Sequence, residues 1–600
     1  MQPEIPAGEY SQRLKAREMR VAQFEKLHRS MGNVRLLLAV AAAIAAWWSI
    51  ERHAFSPWWL MLPVAAFVGV AVYHDRVLLV RSHAERAVAI YRKGLARIED
   101  RWMGSGEHGE RFDTPNHIYA ADLDLFGAGS LFELLTTART RMGEDALAQW
   151  LLSPSTLEQI QERHVAIAEL RPKLDFREEL AVLGKDPRVG VHHEALLAWA
   201  EAPNCLPQSW LRWFALLLAV AAMTLGIVWA VTGVGFPFIV ILLVEAILTY
   251  GRKKRFEAVL SATEGAFENL DLLSALLARL ESEPFQSPRL QTIRKELSSH
   301  HLQASQAIAR LRKLVQYIHS RQNMMVRFLD VALMYTVQVA YVSEAWRNAH
   351  GNAVRNWLRL TGEMEALISL STYSYEHPSD PFPDFLQGAP SFQGEEIGHP
   401  LIPSAKCVRN DVSIGGVSIG GDPKVLLISG SNMSGKSTLM RAVGMNTVLA
   451  MAGAPVRARR LRLTLLHVGA SIRVNDSLQE GNSRFYAEIL RLRQIYDLAA
   501  QSPPLLFLLD ELLQGTNSKD RRIGAEGIVQ ALMELGSIGM ISTHDLALTD
   551  IGDAEKVRIH NMHLQDELKN GRMRFDFKLR EGVVTKSNGL ELMRSIGLKV

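Results

Sequence analysis

The segment KVLLISGSNMSGKSTLMRAVG, beginning at Lys424, restricts the fold of this chain more than any other stretch. VLLIS, residues 425–429, is a short β-branched and leucine-rich run, the pattern of a buried strand. Gly430, Gly435, Lys436 and Ser437 follow in the spacing G-x-x-x-x-G-K-[ST], and the residues after them are helical in character. Strand, glycine-rich turn and helix in that order predict an α/β domain with a P-loop. Glycines let backbone N–H groups curl around phosphate oxygens, and the helix N-terminus adds the positive end of a dipole. Lys436 is placed to reach the β- and γ-phosphates and Ser437 to ligate Mg²⁺, so ATP and Mg²⁺ are the expected cofactors.

A phosphate loop calls for an acidic strand end beside it. PPLLFLLDELLQGTN supplies one: the run Leu505–Leu509 is apolar, and Asp510 and Glu511 stand at its carboxyl end, where ligands bind in such sheets. Asp510 is expected to hold the metal through water, and Glu511 to orient or deprotonate the attacking water. A third run, IGMIS, leads into Thr543 and His544, where a histidine can sense the γ-phosphate.

Four apolar runs lie upstream: Val34–Ile50, Ser56–Tyr73, Phe214–Val231 and Val234–Tyr250. Each is close to the ~20 residues that cross a hydrocarbon core. Trp47, Trp48, Trp58, Trp59, Trp210 and Trp213 cluster near their ends, as interfacial aromatics do. A charge-rich segment precedes the first run, so it does not read as a cleavable signal peptide. Arg13, Lys15, Arg17, Arg20, Lys26 and Arg29 precede the first run, Arg76 and Arg81 follow the second, and Arg252–Arg255 follow the fourth. The turns inside the pairs hold only Arg52. This places both hairpins as transmembrane excursions with everything else cytoplasmic, in an inner membrane. The competing reading is two buried core hairpins; Arg35, Glu245, Pro63 and Pro237 speak for it. A further apolar stretch, MMVRFLDVALMYTVQVAYV, contains Arg327 and Asp330 and reads as a buried soluble helix.

With 600 residues, 48% hydrophobic and 22% charged, the chain has room for several domains. A net charge of +4 permits a nucleic-acid or acidic-lipid partner without requiring one. Two distant cysteines, Cys205 and Cys407, exclude a disulfide framework and a zinc site. The expected organisation is an N-terminal helix (1–33), a first transmembrane hairpin (34–73), a helical core (74–209), a second hairpin (210–250), a helical lever and core (251–378) and the P-loop ATPase domain (379–600). Glycine and proline between His377 and Gly421 mark a linker or small-strand region.

Together these motifs resemble the MutS family of DNA mismatch-repair ATPases. GHPLI with VRNDVSI, SGSNMSGKSTLMRAVG, VNDSLQEGNSRFYAEI, DELLQGTNSKDR, STHDLAL and FKLREGVVTKSNGLELMRSIGL are similar to its ATPase domain. The stretch beginning DLFGAGSLFELL and the stretch EMEALISLSTYSYEH are similar to its core and its returning levers. The resemblance implies that Gly430, Asn432, Ser434, Gly435, Lys436, Ser437 and Thr438 hold phosphates and Mg²⁺, with Asp510 on the metal, Glu511 on the water and His544 as a switch. It places Asn410, Asp411 and Phe577 near the adenine and Ser483 on the partner subunit's nucleotide, hence a homodimer with composite sites. It also implies DNA as a partner, held mainly by phosphate contacts; Arg310, Arg312 and Lys313 are candidate cations, although a run of this kind reads first as a solvated helix face. It does not extend to a mismatch-sensing domain with a Phe-x-Glu wedge, so mismatch recognition itself is not expected. The alternative function is a transporter-like or other membrane ATPase acting on a non-DNA partner; the transporter signature is absent, QEGNSRF standing in its place.

Overall fold

The computed structural model of the protein describes residues 4–51, 56–114, 116–183, 193–206, 210–265, 270–298, 303–321, 323–416, 424–431, 433–473, 484–544, 549, 558–569 and 572–584. Helices come first: α1 (Glu4–Ile50), α2 (Met61–Ile98), α3 (Leu131–Leu135), α4 (Arg141–Leu152), α5 (Leu157–Leu170), α6 (Leu174–Val182), α7 (His193–Ala200), α8 (Trp210–Thr232) and α9 (Phe236–Tyr250). There follow α10 (Lys253–Gly265), α11 (Leu270–Ser282), α12 (Pro288–Leu297), α13 (Ala304–Ser320), α14 (Met324–Leu333) and α15 (Tyr335–Glu376). The C-terminal part alternates: β1 (Asp384–Phe385), β2 (Ser391–Ile397), β3 (Asn410–Gly415), β4 (Val425–Ser429), α16 (Lys436–Ala452), β5 (Arg460–Leu463), β6 (His467–Ser471), α17 (Arg484–Ala499), β7 (Leu505–Asp510), α18 (Ser518–Glu534), β8 (Ile538–Thr543), β9 (Ile559–Lys569) and β10 (Arg572–Glu581).

Two sheets organise that part. The larger runs β10-β9-β4-β8-β7-β6, parallel except at the β9–β10 hairpin. Its strands β4 and β8 are buried along their whole length, as expected of parallel strands covered on both faces. One face packs α16 and the helical core; the other packs α17 and α18. Three strands of the smaller sheet, β1-β5-β2-β3, lie in the linker or small-strand region between His377 and Gly421, and β5 comes from beyond it. Asp122 ties the core to the large sheet: its Oδ1 accepts from Ile472 N at 2.7 Å and Arg473 N at 2.6 Å, just beyond β6.

The boundary expected between residues 33 and 34 is not a structural break. α1 is one helix of 47 residues, in which the apolar run simply continues the charged one, and it packs along α2. α1, α2 and α8 are long and apolar enough to cross a membrane. Their apolar side chains point outward: Leu37, Trp47, Met61, Leu62, Trp213, Leu217 and Val231 are all exposed. α9, the fourth run, differs. Its 15 residues rise about 22 Å, short of the ~30 Å hydrocarbon core.

The stretch MMVRFLDVALMYTVQVAYV also departs from expectation. It is two helices, not one, because Met334 adopts φ 45° between α14 and α15. Asp330 explains the break: its carboxylate accepts from Thr336 N and from Thr336 Oγ1, both at 2.6 Å, and so caps the start of α15 instead of lying idle in an apolar helix. α14 packs against α8 and α9, so it joins the apolar hairpin.

α15, 42 residues long, is the axis of the molecule, touching α8 and α10 near its start and α2 and α4 further along. At its end Arg97 of α2 donates two bonds to Glu376, at 2.7 and 2.6 Å, and Tyr10 of α1 donates to the same carboxylate at 3.4 Å. One turn back, Tyr373 donates to Asp380 at 3.1 Å, which also takes Arg457 at 3.2 Å. The backbone N–H of Arg457 in turn donates to Asn446 of α16 at 2.6 Å.

Midway along α15, Glu365 is buried against Thr140, whose hydroxyl it accepts, and Arg139 N at 3.1 Å. Burial pushes this carboxyl up from 4.5 to about 7. The folded state therefore holds the proton more tightly than the unfolded chain. Its contribution is complete below about pH 4.5 and is lost as pH rises through about 7. Unfolding of the full chain followed between pH 4.5 and 8 should show a decline of up to ~3 kcal/mol from this group, absent in Glu365→Gln.

Candidate nucleotide site

β4, β7 and β8 are parallel, with β8 between the other two, so their carboxyl ends open on one edge of the sheet. Register aligns Ser429 with Thr543 and Asp510 with Ser542. The loop after β4, the acidic pair after β7 and His544 after β8 are thereby brought together by strand pairing alone.

The loop is built for close backbone approach. Gly430 has φ 155° and Gly435 φ 96°. A Cβ at Gly430 would meet Ser434 Oγ at 2.7 Å, and one at Gly435 would meet the Phe577 ring at 2.9 Å. Ser434 is buried and donates to Ser431 O at 2.8 Å, closing the turn. Lys436, at the first position of α16 and 3% exposed, donates to Gly430 O at 2.8 Å and Ser431 O at 2.9 Å. Burial lowers the ammonium below the usual lysine value, and the Glu511 and Asp510 carboxylates offset part of that. Ser437 is half-buried on the first turn of α16, and Thr438 beside it is exposed.

Across the edge, the backbone turns sharply after β7, with Glu511 at φ 52° and Leu513 at φ 56°. Three partners that the sequence did not single out hold this turn. Ser542 donates to Asp510 Oδ1, and its hydroxyl accepts from Glu511 N at 3.2 Å. Glu488 of α17 accepts from Leu513 N at 2.6 Å. Gln514 donates to Glu511 Oε2. His544 Nδ1 lies 3.3 Å from Glu511 Oε1, with the imidazole 45% exposed toward the open edge. Strand alternation around IGMIST offers a signal for Ser542; nothing local points to Glu488, which arrives from another helix.

The remaining candidates divide. Asn410 clamps β10: its Nδ2 donates to Phe577 O at 3.0 Å and its Oδ1 accepts from Leu579 N at 2.9 Å. That fixes Phe577, itself at φ 54° and 41% exposed, over the loop at Gly435. Asp411 is the next residue of β3 and faces the other way, accepting from Glu396 N at 2.7 Å. Asn432 and Ser483 lie outside the described residues. Of the cations considered for DNA, Arg312 is held by Asp271 at 2.5 Å.

The cradle that a Cβ would fill, the buried lysine and the carboxylates opposite it suit a triphosphate with its divalent cation. Among the described residues no group of three or more histidine, cysteine or acidic side chains could by itself hold a metal, so the cation would need the nucleotide's own oxygens.

Comparison with known proteins agrees with this layout. The family model for MutS domain V matches residues 426–599 and that for MutS domain III matches residues 118–202. The DNA mismatch repair protein MutS of Shouchella clausii is 32% identical over 206 residues, 33% of this chain and 23% of the relative. That of Brevibacillus brevis is 28% identical over 268 residues, 44% of this chain and 30% of the relative. Endonuclease MutS2 of Thermus thermophilus is 32% identical over 208 residues, 33% of this chain and 25% of the relative. The chain thus spans less than a third of the length of these relatives. One domain model thus falls on the core segment around Asp122 and the other on the sheet edge that gathers Lys436, Asp510 and Glu511, so both segments are similar to the MutS family.

Proposed function

We propose that this chain is a membrane-anchored MutS-family ATPase, which hydrolyses ATP with Mg²⁺ at a dimer interface and couples the cycle to DNA. The observation that carries the reading is the meeting of Lys436, Asp510, Glu511 and His544 at one sheet edge. Bound ATP and Mg²⁺ supply the phosphoanhydride and the neutralising cation. Gly430, Ser434, Gly435 and Thr438 line the phosphate cradle, and Lys436 presents its ammonium there. Ser437 and, through water, Asp510 would hold the metal. Glu511 orients a water and takes its proton on a carboxylate oxygen, with His544 against the same carboxylate. Phe577 offers a ring face beside Gly435 for the adenine, and Asn410 holds it there. Asn432 on the phosphates and Ser483 on the partner subunit's nucleotide complete the assignment.

The membrane part rests on the outward apolar faces of α1, α2 and α8. α9 fits a locally thinned bilayer, a modest cost for a short span. DNA as partner rests on the names of the relatives.

The test is ATP turnover by the detergent-purified protein with duplex, mismatched, branched and single-stranded DNA. Stimulation by at least one is the expected result. A flat response to all four would move the coupling to a non-DNA partner at the membrane, the second reading, which the seating of α8 against α15 favours.

A further inference from the structure

α9 is the most apolar helix of the second hairpin, yet it carries Glu245. Ile239, Val240, Leu243 and Ile247 face outward, whereas Glu245 is 1% exposed. Ile241 and Leu248, about one turn to either side, pack on a cluster that includes Leu211, Ala215, Leu218, Met334 and Val337. Glu245 therefore points into the seam where α8, α9, α14 and the start of α15 meet. Neither of its carboxylate oxygens has a hydrogen-bond partner among the described residues.

A lone anion is not stable in such a seam. Burying an unpaired carboxylate costs several kcal/mol, on the order of what a whole domain has to spare. Among the described residues, neighbouring charges do not offset it. Asp330 of α14 is committed to Thr336, Arg212 lies at the start of α8 against Trp213, and Glu344 and Arg347 of α15 pair with each other at 2.6 Å. Arg252, after α9, lies beyond the end of the helix. The side chain of Arg327, also on α14, lies outside the described residues.

The geometry points to Glu245 as a binding site for a small monovalent cation, a proton or an alkali ion, inside the second hairpin. Among the described residues no cluster of further metal-ligating side chains surrounds it, which favours the proton. Because the seam includes α14 and the start of α15, losing that cation would leave an unpaired charge where the hairpin meets the long helix. The cation site deepens the membrane reading, and its test keeps the two apart.

The full-length protein, reconstituted in phosphatidylcholine–phosphatidylglycerol vesicles, is treated with dicyclohexylcarbodiimide and mapped by peptide mass. An apolar carbodiimide adds across a protonated carboxyl to an O-acylisourea, which rearranges to a stable N-acylurea with every atom retained. Glu245 should be labelled at acidic pH, at least ten-fold above Glu245→Gln, and Na⁺ or K⁺ should not protect it. Protection by either ion would assign the site to an alkali cation. A protein that co-sediments with the vesicles but shows no label at Glu245 at any pH, with no alkali ion present, would overturn the site. Failure to co-sediment reports against membrane insertion alone. Should Glu245→Gln not fold, infrared spectra of Glu365→Gln across pH, which lacks the other carboxyl that burial raises to about 7, still decide: loss of a buried carboxylic C=O band on alkalinisation supports the site, and its absence at all pH values refutes it.

Discussion

Glu511→Gln is expected to lower ATP turnover about 10³-fold while leaving ATP binding within a few-fold of wild type, a loss within the range of general-base catalysis. The amide keeps the size of the side chain and can still meet Gln514, but it cannot take a proton from water. The backbone that presents it is fixed independently, by Ser542 and Glu488, so the turn at φ 52° should survive the substitution. Fluorescent-nucleotide binding and single-turnover hydrolysis measure the two quantities separately. Unchanged turnover would remove Glu511 from the reaction; loss of binding as well would mean that the carboxylate positions the nucleotide.

Arg97→Ala should be the most destabilising single change in the α1–α2 pair. Glu376 has a 1% exposed side chain, and its two short bonds from Arg97 form its only ion pair among the described residues. Removing the guanidinium strands a buried anion, which typically costs 3–5 kcal/mol, on the order of half the stability of a domain. Replacing both partners by Arg97→Met with Glu376→Leu should recover most of that, since an apolar pair leaves nothing unpaired. Denaturant unfolding in detergent gives the ordering wild type, double variant, single variant. A disulfide engineered between α2 and α15 would then show whether the hairpin has left its seat.

How much of this was readable beforehand follows from the range of the forces involved. VLLIS-G-x-x-x-x-G-K-S announces strand, turn and helix because every determinant lies within a dozen residues, and the apolar character of α1, α2 and α8 is equally local. The helix boundaries were less legible. The apolar run from Val34 continues a helix already under way, since charge stops and starts without breaking backbone hydrogen bonds. The break at Met334 was hidden because apolar residues continue through it, and only the reach of Asp330 to Thr336 marks it. Asn410 and Asp411 are adjacent letters on opposite faces of β3, so proximity in sequence could not say which of them meets Phe577. The Arg97–Glu376 pair, 279 residues apart, has no local signature.

The chain of bonds from Asn446 through Arg457 and Asp380 to Tyr373 has a mechanical consequence. It welds the phosphate-loop helix to the base of α15, so a rotation begun at Lys436 has no soft joint in which to dissipate. Forty-two helical residues make a rod about 63 Å long. Tilting such a rod by about 5° at its root sweeps its tip through roughly 5 Å, on the scale of one helical turn. That tip is Tyr335, beside the seam that holds Glu245, so angular play too small to disturb the sheet edge becomes a full-sized stroke at the far end of the helix.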